Sequence, residues 1–310
     1  MAQSMQDNRG KYALITGATS GFGYELAKLF AKDGYNLVLV ARNEERLKEL
    51  TADFTQTFLI EVLPIAKDLF SPSAAGEIYS ETTARGITIN VLVNDAGQGE
   101  HGLFVEYDAS RDIDMIQLNI TSLVCLTKFY LKEMVSRNEG RILQLASLLG
   151  KYPTPYMTVY AATKAFVISF TEGLISELKN TNVTITALLP GASDTDFFHK
   201  AGAEETVTYR EENLTEPEEV AKDGYEALMK GESRIVSGAK NKMYAAMSNV
   251  MPDGALASTM KKKMLPSEEP NGREHITHGP SIEERDSIDA ATGNVDGDYE
   301  EHEDHVHKQE

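Results

Sequence analysis

Short apolar runs alternate with longer amphipathic stretches along most of the chain. Tyr12–Ile15, Asn36–Val40, Phe58–Ile65, Ile87–Val93, Arg141–Leu145 and Val183–Leu189 are rich in aliphatic and β-branched residues. Their lengths suit strands. Ile87–Val93 is apolar almost throughout rather than at alternate positions, as a strand buried on both faces should be. The intervening stretches show helical spacing. Leu26, Leu29 and Phe30 share a face after the first run, and a helical pattern runs up to Arg85, from Asp112 to Arg137, and on to Leu178. Glu216–Lys230 carries Val220, Tyr225, Ala227 and Leu228 on an apolar face. Arg234–Gly238 reads as a last strand and turn. Lys240–Met264 reads as a methionine-rich helical stripe (Met243, Met247, Met251, Met260, Met264) with Lys261–Lys263 as a solvated end. Strand–helix alternation of this kind predicts an α/β fold: a doubly wound parallel sheet of Rossmann type, one domain over 11–264 after a flexible start at 1–10.

Past Met264 the pattern stops. From Leu265 to Glu310 there are fourteen Asp/Glu against three Lys/Arg, so this stretch holds eleven of the eighteen net negative charges. Such a segment cannot bury enough apolar surface to offset its ordering entropy, and 265–310 is expected to be an acidic disordered tail, dispensable for catalysis. Five of the seven histidines lie in it, but without a folded frame they predict no metal site. The body is only mildly acidic, which argues against a nucleic-acid surface. A single cysteine, Cys125, excludes an intramolecular disulfide and fits a reducing compartment. Met1–Gly10 shows no apolar signal core, and no apolar run approaches the ~20 residues of a membrane helix, so the expectation is a cytoplasmic protein without a membrane partner.

The first run leads into Thr16-Gly17-Ala18-Thr19-Ser20-Gly21-Phe22-Gly23 and then a helix. Strand, glycine loop and helix together make a place where backbone can approach a pyrophosphate beside open helix N–H groups. The second run ends in Ala41-Arg42. The position that grips the ribose 2′-OH of NAD by a carboxylate is therefore not acidic, and Arg42 can pair with a 2′-phosphate, which favours NADP(H) over NAD(H). The fourth run ends in Asn94-Asp95-Ala96-Gly97. Asn119 stands amid Ile116, Leu118, Ile120 and Leu123, where a capping or satisfied core amide is the plainer reading. Ser147 lies just past the fifth run, where open α/β sheets bind ligands. Tyr160 and Lys164, four apart in a helical stretch, share one face, and an ammonium beside a phenol lowers the phenol's pKa toward useful acid–base chemistry.

With these blocks in order, the chain resembles the short-chain dehydrogenase/reductase family in its shorter, non-extended branch, and within it NADP-dependent carbonyl and acyl reductases. The resemblance runs from about Lys11 to Thr195 and more weakly to Val236. It rests on Thr16-Gly17-x-x-x-Gly21-x-Gly23, Asn94-x-Ala96-Gly97, Asn119, Ser147 with Tyr160 and Lys164, and Pro190-Gly191 with Thr195. It implies an oxidoreductase that interconverts a carbonyl and a secondary alcohol by hydride transfer, with Tyr160 as general acid/base and Lys164 lowering its pKa and binding the nicotinamide ribose. Ser147 would orient the substrate oxygen and Asn119 would hold a helix kink and a water. Gly17, Thr19, Ser20, Gly21, Phe22 and Gly23 would form the pyrophosphate turn. Asp68 would face the adenine amine and Asn94 the adenine ribose region, with Ala96 and Gly97 also binding the cofactor. Pro190, Gly191 and Thr195 would position the carboxamide.

Two departures from the family pattern, Asp95 for its common Asn and Ala146 for a second serine, remove no catalytic group. Residues 196–212 would form a partly apolar lid through Phe197, Phe198 and Tyr209, with His101 and His199 as surface histidines. That lid suits an acyl, steroid-like or aromatic ketone. The resemblance also implies a homodimer or homotetramer built through the helices carrying Asn119 and Tyr160. A catalytically silent dinucleotide sensor on the same fold is the alternative. The full set of Asn119, Ser147, Tyr160 and Lys164 argues against it, since a sensor has no need of an acid/base pair.

Overall fold

A computed structural model of the chain describes residues 8–267. The strands are β1 (Tyr12–Thr16), β2 (Asn36–Ala41), β3 (Val62–Ala66), β4 (Ile89–Asn94), β5 (Gly140–Leu145), β6 (Val183–Leu189) and β7 (Arg234–Val236). The helices are α1 (Gly21–Lys32), α2 (Glu44–Phe58), α3 (Ala74–Ala84), α4 (Ala109–Ile116), α5 (Leu123–Ser136), α6 (Thr158–Glu177), α7 (Phe197–Ala201), α8 (Val207–Glu211), α9 (Pro217–Lys230), α10 (Ala239–Met247) and α11 (Asp253–Met264). The strands form one parallel sheet in the order β3-β2-β1-β4-β5-β6-β7. The order reverses between β1 and β4, and a ligand crevice opens beyond their carboxyl ends.

Successive strand residues face opposite layers, and both layers are covered. Ala13, Ile15, Leu37, Leu39, Val91 and Val93 pack with Leu26, Phe30, Leu47 and Leu228 of α1, α2 and α9. Leu14, Val38, Val40 and Leu92 pack with Ile78 of α3 and Leu126, Tyr130 and Met134 of α5. Two covered faces are why the runs are apolar without a gap.

The elements differ from the sequence reading in four places. Phe58 ends α2 instead of starting a strand, because its ring packs edge-on against Phe54 one turn earlier, with centroids 5.6 Å apart. Leu59 then turns left-handed, φ 57°, and pairing with β2 begins at Val62. The single helix expected over 112–137 starts at Ala109, capped by Asp108, and is interrupted by a π-helical turn at Gln117–Ser122. The methionine stripe is broken at 248–252 into α10 and α11; Met260 and Met264 are buried, while Met243 and Met247 are exposed. Lys263 is no solvated end: its ammonium binds Glu212 at 2.7 Å and lies 4.4 Å from the centre of the Tyr244 ring.

The termini depart from expectation where they are described. Asn8 is buried, its amide donating to the Asp33 carbonyl and carboxylate. Leu265–Ser267, assigned to the tail by composition, pair with Glu205–Val207 in the segment expected to form the lid. The Leu265 carbonyl accepts from Val207 N–H, Pro266 bridges Thr206, and Ser267 N–H donates to the Glu205 carbonyl. The rest of the expected tail lies outside the described residues. Among those described, no helix is long and apolar enough to cross a membrane.

The tail is therefore better cut after Ser267 than after Met264. A chain ending at Ser267 keeps every described contact and sets the reference melting temperature. Ending it at Met264 removes three backbone hydrogen bonds, two made by Leu265 and one by Ser267, about 1 kcal/mol each, and is expected to lower it by a few degrees. Calorimetry of the two truncations beside the full chain checks this; equal melting points would show that 265–267 hold nothing.

Candidate active site

The expected site residues converge at the carboxyl ends of β1, β4, β5 and β6. β1 ends in a turn that takes Gly17 to φ 70° and Gly21 to φ 53°, and Ser20 begins α1 without spending its hydroxyl on the helix. No acidic residue occupies the first turn of α1, which leaves its positive end open to an anion. A methyl on Gly23 would press on the Gly17 carbonyl oxygen and stand 2.6 Å from Asp95 Oδ2, so that position accepts only glycine. Thr195 comes over Gly21 from the far side: its methyl would be 3.4 Å from a side chain placed there. Pro190 ties the loop after β6 to the turn after β5, its carbonyl accepting from Leu148 N–H at 2.8 Å. Gly191 is covered by the Asn241 side chain of α10, which donates to the Ser237 carbonyl.

Tyr160, Lys164 and Ser147 meet beneath this crevice. Tyr160 is 7 % exposed and Ser147 8 %. Burial pushes the phenol up to about 12; the Ser147 hydroxyl acts against that, and the nearby Asp95 charge adds to it. The lowering expected from Lys164 is therefore absent in this state. Its ammonium lies 5.7 Å from the Tyr160 ring centre, donates to the Leu145 carbonyl at 2.8 Å, and is itself brought down to about 8 by burial. Burial outweighs the cation.

Asn119 sits in the π turn, 1 % exposed. Its Oδ1 accepts from Gln98 N–H at 3.0 Å, and its Nδ2 donates to the Gln98 carbonyl and Thr163 Oγ1 at 2.9 and 3.1 Å. Both ends of the amide thus brace the segment after Gly97 against α6. A π turn inside a helix often marks a functional position, and here it carries Asn119.

The nucleotide-side residues separate into two groups. Arg42 is exposed at the end of β2, its guanidinium 5.4 Å from the Phe70 ring centre, and among the described residues it has no ion pair. Asp68 is exposed nearby, accepting from Phe70 N–H. Thr19, Phe22, Ala96 and Gly97 lie at or partly at the surface of the crevice. Asn94 is different: its amide nitrogen is buried and donates to Thr127 Oγ1 and Gln144 Oε1 at 3.0 and 2.9 Å. Its side chain straps β4 to α5 and β5, and only its backbone is left to face a nucleotide.

Several residues make contacts that the sequence reading did not assign to them. Thr16 Oγ1 donates to the Val93 carbonyl and accepts from Asp95 and Ala96 N–H, fixing the end of β4 to β1. Phe197 lies 5.0 Å from Tyr160 between ring centres, so the lid's aromatic rests on the phenol. His101 is half-buried rather than a free surface group: Nε2 is 2.8 Å from the Met264 carbonyl and the ring stacks on Tyr156. His199 is bound to Glu204 at 2.6 Å. Glu212 holds Lys240 and Lys263; burial pushes its carboxyl up, but the two ammonium groups outweigh that and keep it below its usual range. Apart from Thr16, which opens the glycine motif, none of these carries a motif spacing. Among the described residues no His/Cys/Asp/Glu group has the arrangement to hold a metal ion.

The profile of the short chain dehydrogenase family matches residues 11–206. The very-long-chain 3-oxoacyl-CoA reductase-B of Danio rerio is 37 % identical over 185 residues, covering 58 % of this chain and 59 % of that protein. The chain thus spans less than two thirds of that relative's length. Among solved structures, a short-chain dehydrogenase from Sphingobium yanoikuyae in complex with NADPH superimposes with a TM-score of 0.69 at 28 % identity, over 78 % of this chain and 96 % of that one. The bulky-bulky ketone specific alcohol dehydrogenase from Comamonas testosteroni gives 0.66 at 28 %, over 78 % and 93 %.

Gly150, in the 3-10 turn after Ser147, is the close contact that sets α6 against that turn. A methyl there would stand 2.7–2.8 Å from the backbone of Lys164 and Ala165, with no flexible group to yield. Gly150→Ala is expected to cost about 1–3 kcal/mol and to lower the melting temperature by several degrees. An unchanged melting point would show that the turn moves aside freely.

Proposed function

The chain belongs to the short-chain dehydrogenase family, and on that premise we propose that it is an NADP(H)-dependent oxidoreductase reducing the ketone of an apolar, acyl-type substrate to a secondary alcohol. The observation that carries this reading is the gathering of Tyr160, Ser147 and Lys164 beneath a glycine turn, under an aromatic lid. The turn fits a dinucleotide: a side chain at Gly23 would fill it, and the open end of α1 faces it. Gly17, Thr19, Ser20, Gly21, Phe22 and Gly23 would hold the pyrophosphate, Asp68, Ala96 and Gly97 the adenosine side, and Pro190, Gly191 and Thr195 the carboxamide. When bound, the nicotinamide supplies or accepts the hydride.

The chain's own work is placement and proton supply. Ser147 Oγ hydrogen-bonds the substrate oxygen and holds it toward Tyr160. The Tyr160 hydroxyl, protonated at neutral pH with its pKa near 12, gives its proton to that oxygen as negative charge develops, which suits the reductive direction. Lys164, freed from the Leu145 carbonyl, would lie against the ribose and lower the cost of leaving a tyrosinate behind. Asn119 keeps the segment after Gly97 in place beside Lys164.

Arg42 supports NADP(H): an exposed guanidinium at the end of β2, without an ion pair among the described residues, suits a 2′-phosphate. The substrate class is supported by the lining around Tyr160, where Met157, Tyr152, Leu148, Phe198, Met260 and Met264 form one apolar cluster. The names of the matched reductase and ketone-specific dehydrogenase are consistent with it. Exposed Ile113 and Ile116 of α4 and Phe166 of α6 support self-association as a homodimer or homotetramer through these helices.

Three outcomes are expected. Tyr160→Phe should lower NADPH-dependent reduction of a 3-oxoacyl thioester roughly 10²- to 10⁴-fold while leaving NADPH affinity within a few-fold, by stopped-flow and nucleotide fluorescence. Nucleotide binding without turnover on any carbonyl, in wild type and variant alike, would favour a sensor. Arg42→Ala should weaken NADPH roughly 10- to 100-fold, the worth of a charge-assisted hydrogen bond, and leave NADH unchanged; equal losses would overturn the NADP(H) assignment. Light scattering should show a dimer or tetramer, and a monomer would end the association proposal.

A further inference from the structure

Asp95 stands where the family pattern commonly has asparagine, and its carboxyl lies under the glycine turn. Its Oδ2 is 2.6 Å from the position of a methyl on Gly23 and 2.9 Å from one on Gly17, and Gly23 N–H donates to it. The backbone leading to it is fixed, because Asp95 and Ala96 N–H both donate to Thr16 Oγ1 at 3.0 Å. The residue as a whole is half-buried, yet desolvation is the largest influence on its carboxyl. The charged groups facing it are Lys164 of α6 and Lys200 of α7, the latter also 3.7 Å from Asp196 Oδ2. Tyr160 of α6 faces it as a neutral phenol.

We propose that Asp95 is the proton-binding residue of the cofactor site: it takes up a proton when the nucleotide's pyrophosphate settles on the glycine turn, so that nucleotide affinity falls as the solution becomes alkaline. This rests on the reading of that turn as the phosphate site.

The argument is electrostatic. A carboxylate beneath the turn repels a pyrophosphate above it, and neither Lys164 nor Lys200 can compensate both. Lys200 lies beside a carboxylate, and Lys164, on the reading above, leaves the Leu145 carbonyl for the ribose rather than for the pyrophosphate. A like charge disfavours the ionised form of an acid, so the bound nucleotide raises the carboxyl's pKa further. Burial has already pushed it up to about 7 in the free protein, so the uptake falls in the neutral range. The sign follows from linkage. Below the free-protein pKa the group is protonated in both states and affinity does not depend on pH. Between the free and bound pKa values the dissociation constant rises, up to tenfold per pH unit. The protonated acid also resembles the amide of asparagine, with one donor and one acceptor, which is how the same backbone accommodates either residue. Asp95 is a positioning residue here: it touches the turn and acts on the nucleotide through it.

The test is the ¹³Cγ titration of Asp95 in the full chain, with the resonance assigned by its loss in Asp95→Asn, followed from pH 5 to 9 with and without saturating NADPH. The expected result is a midpoint near neutral in the free protein, higher by at least one unit in the complex, with the dissociation constant rising by the same factor. Asp95→Asn should retain the affinity measured at pH 6 and lose the decline above pH 7; Lys164, brought down to about 8, titrates in both proteins, so the difference between them reports Asp95. A midpoint that NADPH does not move, or one below 5 in both states, overturns this inference alone. Failure of NADPH and NADH to bind at any pH overturns it together with the cofactor reading.

Discussion

The end of β4 is held against the end of β1 by one hydroxyl, and the crevice depends on it. Thr16 Oγ1 donates to the Val93 carbonyl and accepts from two successive N–H groups, those of Asp95 and Ala96. Sheet order reverses between these two strands, so no crossover helix lies over the gap and their ends splay apart. Three hydrogen bonds on one buried side chain satisfy the backbone where the ladder stops and turn the segment 95–98 back over the sheet. Asn119 then accepts from Gln98 N–H and donates to its carbonyl, so the same segment is braced from β1 and from the π turn. The segment after β4 is thus tied to the end of β1 and to the π turn before any ligand arrives.

Rigidity there comes with desolvation, and desolvation decides where protons reside. Tyr160 is moved up to about 12, Lys164 down to about 8 and Asp95 up to about 7, each with burial as the first cause. All three shifts favour the neutral form. At neutral pH Tyr160 is neutral, Lys164 is still mostly an ammonium and Asp95 stands between its two forms, so a charged ligand meets a site that is only partly ionised. The Leu145 carbonyl keeps Lys164 satisfied until then.

Much of the architecture was legible because two-sided burial writes continuous apolar runs, and six of the seven strands could be located from them. Errors arose where local pattern and tertiary contact disagreed. Phe58 extends a strand-like run but packs one helical turn from Phe54. Leu265–Ser267 begin an acidic stretch, yet their backbone is used by the lid. In the crevice, residues at motif spacings fell together, since those spacings follow from strand ends. Asn94 was misplaced because a motif identifies a position and not the direction of a side chain. The Tyr160 shift was misjudged for a related reason: the i,i+4 spacing gives the ammonium's proximity but not the burial that outweighs it.

The lid shows what sequence could not have indicated. It contains two short helices, too short to persist alone, and its order is imposed from outside. Glu212 draws in Lys240 of α10 and Lys263 of α11, His101 reaches the carbonyl that ends α11, and the chain past Met264 pairs with Thr206. Its inner end is set by the crevice: Phe197 N–H donates to Thr195 Oγ1, and the Phe197 ring rests on Tyr160. The outer ties fix where this segment stands, and its inner end is joined through Thr195 to the loop after β6 and through the Phe197 ring to Tyr160.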